Sequence, residues 1–269
     1  MPWKSKQHGN EEKTMIAIYL SGTGNTKHCV EKLISGIDPE AEMIPMERAD
    51  VTEKLKEAGE VLLAYPTQFS NCPYAVRDFI NKNQALWQEK QVLCMTTMGA
   101  FSGDGAGCSA RLLKKYGAKV VGGLQVRMPD AVCDNKMLKK SLEDNRKLVR
   151  EADAKLERVA REIKERGRYP QEGLSFASHL AGLFGQRLWF YGKTTGYSKK
   201  LKISDACVGC GLCVQNCPMH NLTMKDGKAI AGDRCTMCYR CISHCPKQAI
   251  TLLGKQVYEQ CQFEKYAKK

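Results

Sequence analysis

Two copies of one cysteine pattern lie between residues 207 and 246. The first copy, Cys-x-x-Cys-x-x-Cys-x-x-x-Cys-Pro, covers residues 207–218, and the second covers residues 235–246. Four thiolates at such short spacing bring soft sulfur donors onto one compact cuboidal iron–sulfur core. The proline stops the following helix from running back into that core. The segment therefore predicts two [4Fe–4S] centres in a small domain that needs its cofactors to hold together.

In the bacterial two-cluster pattern, the fourth cysteine of each run ligates the cluster of the other run. This pattern assigns one centre to Cys207, Cys210, Cys213 and Cys245, and the second to Cys235, Cys238, Cys241 and Cys217. A zinc ribbon also uses Cys-x-x-Cys pairs, but two zinc sites need neither the third cysteine of each run nor the repeated Cys-Pro. A disulfide framework fits less well, because the chain is long, lacks a secretory signal and scatters its other cysteines.

Length and composition bound the remaining classes of protein. A chain of 269 residues can form two domains, one of them large enough for a full core. No stretch approaches the apolar length of a membrane span, and residues 1–12 lack the apolar region of a signal peptide. We therefore expect a cytoplasmic protein, and the oxygen sensitivity of exposed clusters suggests an anaerobic cell.

The part of the chain before the clusters alternates short apolar runs with amphipathic stretches. Strands are predicted at residues 15–20, 41–46, 61–65, 92–96 and 120–126. Helices are predicted at residues 25–35, 51–58, 73–83, 105–116 and 137–166. Continuous apolar strands between helices indicate a parallel sheet covered on both faces. We expect an α/β, doubly wound domain with the flavodoxin-like strand order 2-1-3-4-5.

The loop Ser21-Gly-Thr-Gly-Asn-Thr26 follows the first predicted strand and opens the first helix. Backbone N–H groups, hydroxyls and the helix N-terminus can surround a phosphate there. It is not a Walker loop, because no Gly-Lys-Ser/Thr follows, and His28 and Cys29 do not fit the G-x-G-x-x-G fingerprint. The predicted phosphate-binding residues are Ser21, Gly22, Thr23, Gly24, Asn25 and Thr26.

This loop resembles the phosphate-binding loop of flavodoxins, and the whole chain is similar to the bacterial flavodoxin–ferredoxin fusion family. The resemblance covers residues 14–166 and 200–254 and implies FMN in the first part and two [4Fe–4S] clusters in the second. It implies a flavodoxin-like five-stranded parallel sheet followed by a small α+β bacterial ferredoxin-like domain. We expect the FMN-binding domain at residues 1–166, a connector at 167–199 and the ferredoxin-like domain at 200–269.

The resemblance also places the isoalloxazine ring between two loops. The contacts it implies are Pro66, Thr67, Gln68 and Phe69 after strand three, and Thr97, Gly99, Ala100, Phe101 and Gly103 after strand four. Phe69 and Phe101 are the candidates for stacking on the ring. The alternative is that each side chain only packs its own loop against the sheet. Many flavodoxins carry Trp and Tyr there. Gly99 and Gly103 would let the backbone approach the flavin edge.

The connector contains a stretch rich in aromatic residues. Residues 173–191 predict a short helix with an apolar face that includes Phe176, Leu180, Phe184 and Trp189. That face could pack between the domains and fix the distance from flavin to cluster, or it could meet a membrane surface or a partner. We expect the packing role.

The formal net charge of +13 bears on possible partners. Two oxidised clusters and a flavin phosphate, each carrying about −2, would lower it to roughly +7. The protein stays basic, which suits acidic partners or anionic surfaces. Nucleic acid is not indicated, because the basic residues interleave with Glu on helix faces, as in residues 136–168.

FMN can take up two electrons as a pair or singly, whereas each cluster passes one electron. A chain that holds both could convert two-electron transfer into one-electron transfer. We expect an intracellular electron-transfer iron–sulfur flavoprotein with a ferredoxin-like donor or acceptor. The alternative is an FMN-dependent oxidoreductase that reduces an organic substrate with electrons from the clusters, and a third possibility is a redox sensor. Tyr65, Asp104 and Asp130 lie near predicted strand ends but form no recognisable catalytic arrangement.

Overall fold

The computed structural model of the protein describes residues 14–190 and 198–267. The strands are β1 (Met15–Tyr19), β2 (Glu42–Pro45), β3 (Glu60–Pro66), β4 (Gln91–Met98), β5 (Lys119–Arg127), β6 (Lys202–Ile203), β7 (Leu222–Lys225), β8 (Lys228–Ala231) and β9 (Ile250–Thr251). The helices are α1 (Asn25–Ile37), α2 (Val51–Glu57), α3 (Tyr74–Lys82), α4 (Gly105–Lys115), α5 (Leu142–Arg166), α6 (Phe176–Gly182), α7 (Leu212–Gln215), α8 (Arg240–His244) and α9 (Glu264–Ala267).

The first five strands form one parallel sheet in the order β2-β1-β3-β4-β5. One face packs against α2, α3 and α4, and the other packs against α1 and α5. Strand β1 is buried along its whole length, because helices cover both faces of the sheet. The predicted flavodoxin-like fold class and strand order are confirmed.

Helix α5 begins five residues later than the sequence predicts, at Leu142 rather than at residue 137. Ser141 Oγ accepts a hydrogen bond from the backbone N–H of Asp144 at 3.0 Å, and this cap fixes the start of the helix. Met137 precedes it in a short 3₁₀ turn and is 92 % exposed. The apolar periodicity of the sequence extends back to residue 137, but the Ser141 cap sets the start of the helix at Leu142.

The cysteine-rich part has little regular structure. Strands β6 and β9 pair antiparallel, and β7 and β8 form a hairpin whose turn, Asp226-Gly227, has positive φ at both residues. This is the backbone geometry that two-residue hairpin turns favour. Several cysteines of the two runs, such as Cys213, Cys217 and Cys241, are partly buried and pack against the small apolar core of this part.

Two segments join this part to the five-stranded sheet. Helix α6 continues through a π-helical turn, Leu183–Arg187, toward residue 190. After β9 the chain returns to the sheet domain, and residues 257–267, here called the C-terminal strap, end in α9 against α5. In the described residues, no helix is both long and apolar enough to cross a membrane.

Candidate functional site

The eight cysteines of the two runs surround two separate cavities. Cys207, Cys210, Cys213 and Cys245 line one of them, here called the distal site. Cys217, Cys235, Cys238 and Cys241 line the other, here called the proximal site. Among the described residues, no three His, Cys, Asp or Glu side chains converge on a single ion position. Each quartet faces a space, which is what a cuboidal cluster held at its corners needs.

The two runs also share one backbone conformation. Three pairs of equivalent positions have positive φ: Gly209 and Met237 (70° and 55°), Gly211 and Tyr239 (73° and 62°), and His220 and Gln248 (48° and 48°). A left-handed residue other than glycine costs about 1–2 kcal/mol. The second run (residues 235–246), here called the proximal run, therefore holds strain at Met237 and Tyr239, where the first run (residues 207–218), here called the distal run, has glycine.

Backbone N–H groups point at the sulfurs in both runs. Asn221 N–H donates to Cys217 Sγ at 3.2 Å, and Ala249 N–H donates to Cys245 Sγ at 3.3 Å, four residues after the cysteine in each case. Such bonds stabilise negative charge on cluster sulfurs and tune the potential. The N–H groups of Ala229 and Gly209 lower the pKa of the Cys207 thiol.

The proximal site is the drier of the two. Burial raises the pKa of the Cys235 thiol to about 12 and also raises the pKa of Cys238. In the distal site, Cys210 is exposed. The exposed side chains of Val208 and Leu212 flank it. The distal site therefore faces solvent, and the proximal site is covered by protein.

The predicted phosphate loop keeps its donors free. In the described structure, the backbone N–H groups of residues 22–26 form no hydrogen bond to a protein acceptor. Gly24 has φ 95°, which turns the loop into the first turn of α1. Asn25 Oδ1 is buried without a partner, whereas Thr26 Oγ1 lies 2.8 Å from Thr97 Oγ1. Consecutive free N–H groups at a helix N-terminus fit a phosphate.

The loop after β3 is held by the connector as well as by the sheet. Phe69 has φ 49° and stacks on Phe190, with ring centroids 4.5 Å apart. Arg187 donates to the backbone carbonyl of Ser70. Pro66 ends β3, and Thr67 Oγ1 lies 2.9 Å from Ser102 Oγ. Stacking of Phe69 on the flavin stays a prediction, and one face of its ring already has an aromatic partner.

The loop after β4 also contacts protein neighbours. Ala100 and Phe101 are exposed, with Phe101 beside Gly185 of the connector. A Cβ on Gly99 would lie 2.5 Å from the Asp130 carboxylate, and one on Gly103 would lie 2.5 Å from Gly182 Cα. In this structure, both glycines are therefore required by contacts within the protein.

The apolar face of the connector points away from the sheet, and its polar face points inward. Phe176 and Trp189 are 75 % and 71 % exposed. Arg187 is buried and pairs with Asp104, which also accepts from Arg111 at 2.7 Å. The expectation that the apolar face would pack between the domains is wrong, because this buried ion-pair cluster anchors the helix instead.

Tyr65, Asp104 and Asp130 each have a structural partner. The hydroxyl of Tyr65 donates to the Gly105 carbonyl at 2.7 Å, and burial raises the pKa of the tyrosine. Asp104 holds the connector, as described above. Asp130 accepts from the N–H of Val132 at 2.8 Å, and burial raises its pKa. These contacts give the three side chains roles in the fold.

The proximal run lies directly on the sheet edge that carries the predicted flavin loops. The Cys238 carbonyl oxygen occupies the position that a Cβ on Gly22 would take, so only glycine permits this approach. Gln68 Nε2 donates to the carbonyls of Thr236 and Met237 at 2.6 and 3.2 Å. The proximal run therefore contacts both the phosphate loop and the loop after β3.

Arg240 adds a charged link between the same two regions. Its Nη2 donates to the Ser21 carbonyl at 2.8 Å, and its Nη1 pairs with Glu47 at 2.7 Å. The arginine lies at the start of α8, next to the proximal cysteines. Its partner Ser21 is 219 positions away in the sequence, so no local pattern could have identified it.

Asp134 is a second residue that the sequence does not mark. Its Oδ2 accepts from the N–H groups of Leu252, Leu253 and Gly254 at 2.6, 2.9 and 3.1 Å. Its Oδ1 accepts from the hydroxyl of Tyr239 at 3.0 Å. The side chain is 1 % exposed. One buried carboxylate thus fastens the cysteine-rich part to the sheet domain.

The C-terminal strap covers the phosphate loop. Phe263 N–H donates to the Thr23 carbonyl at 2.8 Å, and the Phe263 ring stacks on His28 with centroids 4.1 Å apart. A Cβ on Gly24 would lie 2.8 Å from Phe263 Cβ. The far end of the chain therefore shields the loop that opens α1.

Comparison with known families gives two matches. A family described as "Flavodoxin domain" matches residues 16–134, and one described as "4Fe-4S dicluster domain" matches residues 206–249. Comparison with curated proteins gives no match.

Solved structures of flavodoxins are similar to the first part of the chain. Two-electron reduced flavodoxin of Megasphaera elsdenii is 22 % identical over 53 % of this chain and 99 % of that one, with a TM-score of 0.40. Oxidised Flavodoxin 2 of Bacillus cereus is 20 % identical over 57 % and 99 %, with a TM-score of 0.42. FMN-bound flavodoxin of Fusobacterium nucleatum is 18 % identical over 41 % and 70 %, with a TM-score of 0.34.

The two family matches imply FMN and two [4Fe–4S] clusters. The residues of this chain fit both cofactors. The backbone N–H groups of residues 22–26, at the N-terminus of α1, have no protein acceptor among the described residues and fit a phosphate. Two cysteine quartets each line one cavity.

Proposed function

This chain is a flavodoxin–ferredoxin fusion, and we propose that it transfers electrons between FMN and an intracellular redox protein by way of its two [4Fe–4S] clusters. FMN would exchange one or two electrons at a time, whereas each cluster would exchange one. Together they would convert two-electron transfer into one-electron transfer. We assign FMN binding to residues 1–166, the connector to 167–199 and cluster binding to 200–269.

The observation that carries this proposal is the contact between the proximal run and the two flavin loops. Gly22 admits the Cys238 carbonyl, Gln68 binds the Thr236 and Met237 carbonyls, and Arg240 binds the Ser21 carbonyl. Electron transfer weakens steeply with distance, so a converter needs its centres fixed side by side. These three contacts hold the proximal site against the FMN-binding edge.

The residues that we assign to the cofactors follow from the same geometry. Residues 21–26 would hold the FMN phosphate with their N–H groups and hydroxyls. The isoalloxazine would lie between the loops that carry Phe69 and Phe101. The distal quartet and the proximal quartet would each hold one cluster, with the fourth ligand exchanged between the runs.

The distal site is the proposed port for the redox partner. Val208 and Leu212 are 60 % and 37 % exposed beside the exposed Cys210. The proximal site, by contrast, is covered by the sheet domain. The basic charge of the chain favours an acidic partner, such as a ferredoxin-like donor or acceptor.

Anaerobic stopped-flow mixing tests the proposal. Protein loaded with FMN, iron and sulfide is mixed with a reduced ferredoxin, and the flavin and cluster absorbances are followed. We expect both to bleach. The double variant Val208→Glu/Leu212→Glu should slow the reaction about tenfold by repelling an acidic donor, because charge at a docking surface acts mainly on association.

Leu142→Glu, at a similarly exposed leucine of the sheet domain, is the matched control and should react at the native rate. Reduction of the clusters without any change in the flavin would refute internal transfer. Equal rates for the double variant and the control would refute the distal port. Saturable oxidation of the reduced flavin by one metabolite would instead establish the organic-substrate reductase.

A further inference from the structure

A third cavity lies between the sheet domain and the segment that enters the proximal site. Its volume is about 330 Å³, which lies in the range of small-molecule sites. Gln68 and Tyr74 line it from the sheet domain, and Arg234, Cys235 and Thr236 line it from the cysteine-rich part. The cavity therefore belongs to both domains and reaches a proposed cluster ligand.

The lining of this cavity is strongly basic. Arg77, Lys199 and Arg234 contribute three cations, and Asp233 contributes one carboxylate. None of the three cations forms an ion pair with another described residue. Arg77 Nε is buried and has no hydrogen-bond partner. The Arg77 side chain lines the cavity, and a guanidinium without a carboxylate partner is suited to bind an anion, because carboxylates and phosphates accept paired guanidinium N–H bonds.

The start of α3 adds positive potential at the same place. The helix begins at Tyr74, and its N-cap residue Pro73 supplies no side-chain acceptor. The N–H of Ala75 donates to Thr236 Oγ1 at 3.2 Å across the domain boundary. Arg77 lies in this first turn, so the helix dipole and the guanidinium act together on whatever occupies the cavity.

We propose that this cavity binds a small anion that carries carboxylate or phosphate groups. Arg77 from the sheet domain and Arg234 from the cysteine-rich part contact it from opposite sides. The bound anion bridges the two domains and places negative charge beside Cys235. The site is separate from the phosphate loop, and its occupancy does not depend on which protein donates or accepts electrons.

Calorimetric titration of the anaerobic protein tests this site. FMN must be bound, so that the phosphate loop is filled, and ionic strength is held constant with sodium chloride. Inorganic phosphate and succinate are the two probes. We expect one saturable site for at least one probe, and Arg77→Gln or Arg234→Gln should each weaken its binding about tenfold or more, which corresponds to about 1.4 kcal/mol.

Two further variants keep the test independent of misfolding. Asp233→Asn removes the one carboxylate of the lining and should tighten binding severalfold, a gain that a damaged protein would not produce. Arg158→Gln on the exposed face of α5, on the other side of the sheet, is the matched control and should bind as the native protein does.

The two probes distinguish the chemical class of the ligand. Binding of phosphate alone supports a phosphate ester as the ligand, and binding of succinate alone supports a carboxylate. No saturable binding of either probe overturns the proposal. It also fails if Arg77→Gln and Arg158→Gln bind equally. In either case, internal transfer from cluster to flavin can still be measured on the same samples, so the two proposals fail independently.

Discussion

Single residues decide how the two cofactor-binding parts meet. The buried carboxylate of Asp134 accepts hydrogen bonds from three backbone N–H groups and from the Tyr239 hydroxyl. Tyr239 does so from a left-handed backbone conformation (φ 62°), at the position where the distal run has glycine. A hydrogen bond to a buried charged group contributes about 1.5–3 kcal/mol, which offsets the local strain.

The variant Asp134→Asn should loosen this junction, because a neutral amide with one acceptor oxygen replaces a carboxylate with two. We expect a loss of about 3 kcal/mol of local stability. Amide hydrogen exchange at residues 252–254 should then accelerate about a hundredfold in peptide mass spectra. Tyr239→Phe removes one donor and leaves the carboxylate, so it should cost about 1 kcal/mol. Equal exchange in the two variants would contradict the role of Asp134.

At the scale of elements, the C-terminal strap and α6 bring distant segments onto the loops of the sheet. The strap covers the phosphate loop through Phe263, and the π-helical turn after α6 holds the loop after β3 through Arg187. Neither element belongs to the sheet or its covering helices. Both restrict access to the loops that would hold FMN, and the strap does so at the phosphate end.

Phe263→Ala should release FMN faster. The change removes the ring stacked on His28, so the strap should detach more often from the loop. We expect an increase of about tenfold in the dissociation rate, from a loss of about 1.4 kcal/mol. The recovery of free-flavin fluorescence after dilution measures it.

Phe176→Ala is the control for this variant, because that ring is 75 % exposed on α6. Its FMN should dissociate at the native rate. The strap has no part in retaining FMN if the two variants dissociate alike while hydrogen exchange shows the strap of Phe263→Ala detached.

At the scale of the whole molecule, the two parts differ in the size of their cores and in their amount of regular structure. The five-stranded sheet has a buried core on both faces. The cysteine-rich part has helices of four and five residues, and several of its cysteines pack against its small core. A domain of this size with so little regular structure is marginal without its clusters.

Removal of iron by an anaerobic chelator should therefore unfold only part of the chain. We expect hydrogen-exchange protection to disappear in residues 202–251 and to persist in β1, β3 and β4. FMN should stay bound but dissociate faster, because the strap loses its anchor on the cysteine-rich part. Loss of protection in all strands at once would show that the sheet domain also depends on the clusters.

The amino-acid sequence determined the features that depend on local spacing. Apolar runs and amphipathic stretches predicted the five-stranded sheet and its order, which the structure confirms. The bacterial two-cluster pattern predicted the two quartets, and in the structure each quartet lines one cavity, while its binding of a cluster stays a prediction. The sheet follows from side-chain periodicity, and the quartets follow from the repeated cysteine motif.

Only the tertiary structure decided how the parts face one another. Asp134, Arg240 and Phe263 form hydrogen bonds with residues more than a hundred positions away in the sequence. The segment that contains α6 and Arg187 packs with its polar face inward, because the buried Arg187–Asp104 ion pair outweighs burial of its apolar face. Such contacts depend on the relative placement of two domains. A local pattern carries no information about that placement, because the free energy that sets it arises only when the distant surfaces meet.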